Sequence, residues 1–81
     1  LILFGSRARG DYNEESDWDV LVLSEHEINM SFKDKISDKI FYLELDNDVI
    51  ITPVIMNKGK WYEQFKGYPL FHEVKKDGIA L

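Results

Sequence analysis

Leu1-Ile2-Leu3-Phe4-Gly5-Ser6-Arg7-Ala8-Arg9-Gly10 and, after a polar spacer, Ser16-Asp17-Trp18-Asp19-Val20-Leu21-Val22-Leu23 decide how the chain folds. Residues 1–4 read as a buried strand already under way, with no cap, turn or polar lead-in before them. A helix that covers this strand is therefore expected ahead of Leu1, and the chain reads as lacking that N-terminal element. Gly5-Ser6 breaks the apolar run and Gly10 closes a short polar stretch, the pattern of a strand-to-helix turn followed by a loop. Residues 11–16 are polar apart from Tyr12, and residues 17–23 turn apolar and β-rich, a second buried strand whose first residues are acidic.

Outward from these two strands the signals alternate. Ser24 and Glu27 have the Ser-x-x-Glu capping-box spacing, and Ile28, Phe32, Ile36, Ile40 and Leu43 follow at helical intervals, which predicts a helix over much of 27–45. Asp46-Asn47-Asp48 is turn chemistry before a third strand over 49–56, in which Pro53 indicates an edge position or a bulge. A short helix over 60–66 and another from Pro69 to Lys76, stopped by Asp77-Gly78, follow; Ile79-Ala80-Leu81 is expected to dock or add a short strand. Trp18, Trp61, Tyr62, Phe65, Tyr68 and Phe71 are the expected aromatic core. The order gives an α/β (α+β) fold, a small mixed β-sheet flanked by helices, in a single domain over 1–81.

Length and charge narrow the function. At 81 residues the chain has room for one core. The absence of cysteine excludes a disulfide scaffold, a Cys-based zinc site and a thiol nucleophile, and agrees with a reducing, cytoplasmic setting. Its apolar runs are a handful of residues, far below the roughly 18 to 20 that span a bilayer, so no membrane association is expected. Residues 1–48 carry 12 acids against 5 bases and residues 49–81 carry 3 against 5. An acidic first half argues against non-specific binding to duplex nucleic acid. Both arginines, Arg7 and Arg9, fall in the first ten residues, and every other base is a lysine.

The acids and arginines near the start have a chemical reading. Side chains at i and i+2 of a strand share a face, so Asp17 and Asp19 stand side by side while Trp18 points away. Two adjacent carboxylates suit a hard divalent cation such as Mg²⁺. Gly5 lets a ligand approach the backbone, and Ser6 offers an N–H and a hydroxyl at a helix start, where it serves equally as N-cap and phosphate ligand. Arg7 and Arg9 add fixed positive charge; the alternative for both is an ion pair with Asp11, Glu14 or Glu15. His26 and His72 read as ordinary surface or half-buried residues. A phosphate cradle, a carboxylate pair and arginines together describe phosphoryl or nucleotidyl transfer.

These motifs, Leu3 to Gly10 and Ser16 to Leu23, resemble the signature of the minimal nucleotidyltransferases of the DNA polymerase β-like superfamily. The resemblance implies transfer of a nucleoside monophosphate, AMP from ATP, to a protein or small-molecule acceptor. Carried over, Asp17 and Asp19 hold Mg²⁺, Gly5 and Ser6 bind the triphosphate, and Arg9 contacts it. Members usually carry a third carboxylate, the general base, on the strand after the helix. Here 50–53 reads Ile-Ile-Thr-Pro; Asp48, which shares the parity of Ile50, is the candidate, with Asp46 behind it. If Ile50 lies opposite Asp19, the third acid is missing. The alternative function is then a degenerate module that binds a partner, such as the antitoxin paired with a helical HEPN-type toxin; a homo-oligomer is a further expectation.

Overall fold

The computed structural model describes residues 1–81, which form β1 (Ile2–Phe4), α1 (Ser6–Arg9), β2 (Trp18–Ser24), α2 (Met30–Asn47), β3 (Ile51–Asn57), α3 (Lys58–Gln64), α4 (Pro69–Asp77) and β4 (Ile79–Ala80). The four strands make one mixed sheet in the order β3-β2-β1-β4. β1 runs antiparallel to β2 and to β4, while β2 and β3 are parallel, joined by the α2 crossover. Pro53 lies in the edge strand β3, where its missing N–H deprives no neighbour. No helix is long and apolar enough to cross a membrane.

Register assigns the two faces. Phe4 pairs with Asp19 and Ile2 with Leu21, while Asp19, Leu21 and Leu23 pair with Thr52, Val54 and Met56. These side chains therefore share one face. α3 and α4 close over it: Phe4, Leu21, Trp61, Phe71 and Val74 form the core, with Phe65 and Leu70 packed against it. Trp61 stacks on Phe65 and tilts against Phe71 at a 5.3 Å centroid distance. Tyr62 and Tyr68, expected in this core, are half exposed at its rim, where they touch Phe71 and Phe65 by their ring edges or faces. A phenol at the rim keeps its hydroxyl in water while its ring packs.

The opposite face is less complete. α2 contributes no buried residue. Between it and the sheet runs a cleft of about 530 Å³, lined by Leu3, Val20, Val22, Ile36, Ile40 and Leu43 among others. The helix begins later than the capping-box spacing indicates. Asn29 is the N-cap and accepts from the Phe32 N–H, whereas Ser24 is the buried last residue of β2, its hydroxyl bonded to the His26 backbone. α2 also ends later, at Asn47, with Asp48 in the left-handed conformation (φ 51°, ψ 48°) as its C-cap. The third strand then starts at Ile51 rather than at residue 49.

Candidate nucleotide site

The turn after β1 is a glycine for a physical reason. Gly5 is buried and has φ 74° and ψ −159°, a conformation essentially restricted to glycine. A Cβ built there would fall on Asp19 Oδ2, so the carboxylate of the second motif occupies the space that glycine leaves in the first. The Gly5 carbonyl accepts from the Ala8 and Arg9 N–H groups and starts the single turn of α1. Ser6 is the first helical residue, not the N-cap; Gly5 fills that position without a side-chain bond. Gly10 at φ 89° ends the turn, its N–H bonded to the Ser6 carbonyl.

Asp17 is exposed just before β2, and Asp19 is half-buried at its start. Asp17 Oδ2 accepts from Thr52 Oγ1 at 3.2 Å, and Thr52 is also the register partner of Asp19. Burial first, then the charges of Asp17 and Glu73, raise the Asp19 carboxyl above its ordinary pKa, against the pull of Arg9. The pair is thus short of positive charge, and its donor set of two carboxylates beside a hydroxyl fits a hard divalent cation.

Asp48 does not join this pair. The backbone at residue 48 closes α2 instead of extending β3, so strand parity does not reach it, and Asp46 lies within α2. Asp48 lines a separate hollow of about 300 Å³ with Arg7, Trp18 and Ile50. No three Asp, Glu, His or Cys side chains gather into a metal-binding group. Ile50 is not opposite Asp19 either; its carbonyl accepts from the Trp18 N–H, and Thr52 is the residue that pairs with Asp19.

The arginines divide their work. Arg7 forms no ion pair with an acid. Its guanidinium lies 4.3 Å from the Tyr12 ring centroid and 4.6 Å from that of Trp18, and it donates to the Ser16 carbonyl at 3.1 and 3.3 Å. It thereby fastens the loop that carries Asp17. Arg9 does pair with acids: Nε reaches Asp11 Oδ2 at 3.3 Å and Nη1 reaches Glu73 Oε1 at 2.9 Å. Asp11, then Glu73, hold it still more firmly protonated. Glu73 is the residue that sequence reasoning missed, because it lies 64 positions from Arg9 with no motif around it.

The nucleotidyltransferase domain family matches residues 1–72 of the chain. A Methanocaldococcus jannaschii protein named "Putative protein adenylyltransferase MJ0141" is 47% identical over 58 residues, which is 72% of this chain and 59% of that protein. A second from the same organism, "Putative protein adenylyltransferase MJ0604", is 40% identical over 81 residues, all of this chain and 75% of that protein. The chain thus spans about three-fifths of the first relative and three-quarters of the second. No solved structure matches it.

Proposed function

The chain belongs to the nucleotidyltransferase domain family, and from that premise we propose that it transfers AMP from ATP to a hydroxyl group of a protein or small-molecule acceptor. The observation that supports this reading is the close approach of the Asp19 carboxylate to Gly5, which brings the two motifs side by side. Triphosphate would lie along the Gly5-Ser6 turn, meeting the Ser6 hydroxyl, with Arg9 on its β and γ phosphates. Mg²⁺ at Asp17 and Asp19 would neutralise charge on the nucleotide. Asp19 keeps that position because the glycine beside it leaves its carboxylate room, and Thr52 orients Asp17 from the neighbouring strand. Arg7 holds the intervening loop. The acceptor oxygen bonds to the α-phosphorus as the α–β phosphoanhydride bond breaks; pyrophosphate leaves, and the acceptor proton passes to solvent. Positioning and charge supply most of the acceleration in such transfers.

The test is incubation with labelled ATP, Mg²⁺ and candidate acceptor proteins, beside the double variant Asp17→Asn/Asp19→Asn. Label should reach an acceptor only with the wild-type chain. Transfer that survives in the double variant overturns the mechanism.

Thr52 opposite Asp19 favours a second reading, a module with little transfer activity that acts by binding another polypeptide, such as a HEPN-type partner. Restoring an acid decides between them. If Thr52→Asp creates transfer that the wild type lacks, the binding module is correct; if it leaves an existing rate unchanged or lowers it, the enzyme reading holds.

A further inference from the structure

The contact between Arg9 and Glu73 joins the C-terminal helix to the motif turn, and it is the only one of the three ion pairs that does so. Its geometry follows from packing. Phe71 and Val74 are buried against the sheet and fix the rotation of α4, which sets Glu73 at the margin of the core, where it reaches Arg9 of α1. The ion pair itself does little to hold the helix. Both side chains are more than a third exposed, and an exposed pair contributes less than the burial of Phe71 and Val74.

Its placement has a cost for an anionic substrate. Glu73 adds negative charge beside Asp19 and engages Nη1 of the guanidinium that the proposed function assigns to the triphosphate, while Asp11 engages Nε. Arg9 cannot keep both carboxylate contacts and also present the same N–H groups to phosphate oxygens.

We propose that Glu73 is a positioning residue of the nucleotide site, holding Arg9 on α4 while the site is empty and releasing it to the β and γ phosphates when nucleoside triphosphate binds. Glu73 thereby sets the affinity for triphosphate. Nucleoside monophosphate has no tail to recruit Arg9, so its affinity is indifferent to Glu73, and the restraint narrows the preference for triphosphate. This inference rests on the nucleotidyltransferase reading above.

The experiment is a double-mutant cycle in binding rather than in turnover. Dissociation constants for ATP with Mg²⁺, and for AMP, are measured by calorimetry on the wild type, Glu73→Gln, Arg9→Gln and the double variant, with each fold checked by melting. Glu73→Gln should bind ATP about two- to fivefold more tightly, the range of an exposed ion pair. In the Arg9→Gln background the same change should have a markedly smaller effect, and AMP affinity should not move in either. An equal gain in both backgrounds shows that Glu73 acts only as a nearby charge and overturns the proposal. Weaker ATP binding by Glu73→Gln overturns it in the other direction, by making the pair a support rather than a restraint. If Asp17→Asn/Asp19→Asn binds ATP with Mg²⁺ as well as the wild type, or neither binds it, the nucleotidyltransferase reading falls and this one with it. ATP binding that depends on those aspartates but is indifferent to Glu73 removes this inference alone.

Discussion

On the face that carries Asp19 and Thr52, α3 and α4 close over Phe4 and Leu21 with Trp61, Phe71 and Val74; on the opposite face α2 stands off Leu3, Val20 and Val22 and leaves a cleft. The strands supplying both faces are similarly apolar, so the difference comes from the helices. α3 and α4 each drive large side chains into the sheet, whereas α2 leaves Phe41, Tyr42, Leu43 and Leu45 at least half exposed. α2 is held chiefly by its own caps and by local ties such as Glu44 Oε2 accepting from the Ile51 N–H. The site is therefore mounted on the well-packed side. Its precision depends on α3 and α4 more than on the longest helix in the molecule.

Trp61→Ala should break that asymmetry most severely. It removes a side chain only 2% exposed and should cost about 3–5 kcal/mol in urea unfolding, because a cavity opens under the sheet. Gly5→Ala comes next, at about 1–3 kcal/mol, since it forces a glycine-only conformation and meets the Asp19 carboxylate. It should also abolish Mg²⁺-dependent ATP binding, and retention of that binding would show that the two motifs are not sterically joined.

Asp48→Gly acts on the open side with opposite sign. Relief of a left-handed residue at the α2 C-cap should stabilise the fold by about 0.5–1 kcal/mol in the same assay. ATP affinity should stay unchanged, because Asp48 lies in a hollow apart from the aspartate pair; a loss would return it to the site.

Asp19→Asn tests the charge at the margin of the closed face. Because the native Asp19 pKa is raised, its favourable contribution is fully present below the unfolded value, about 4, and is lost as pH rises through the native one. Metal-free Asp19→Asn should therefore melt above the wild type at neutral pH, by less than about 1 kcal/mol after solvent screening, and the two should converge below about pH 4. Leu45→Ser, on the exposed surface of α2, should shift stability by no more than about 0.5 kcal/mol. A larger loss would mean that α2 is packed more firmly than the cleft indicates.

What the sequence made legible were the features set by near neighbours. The strand before Gly5, the apolar run after Asp19 and the parity that puts Asp17 and Asp19 on one face all follow from residues adjacent in the chain. The errors came where a local pattern met a tertiary demand. Ser24 and Glu27 have cap spacing, but Ser24 is buried at the end of β2, and Asn29 two residues beyond Glu27 caps the helix instead. The β2–β3 register is a tertiary fact that strand parity alone does not fix: Asp48 closes α2 in the left-handed conformation, and Thr52, not an acid, pairs with Asp19. Glu73 reaches Arg9 only because Phe71 and Val74 dock, which no motif announces.

The β3 edge of the sheet restricts how another chain can add to it. Pro53 interrupts the outward-facing N–H ladder in the middle of β3. That edge offers no continuous template for an added strand, which is how exposed edges recruit other chains into aggregates. Contact made along β3 is then written in side chains, where it can be specific, rather than in backbone hydrogen bonds, which any extended peptide can supply.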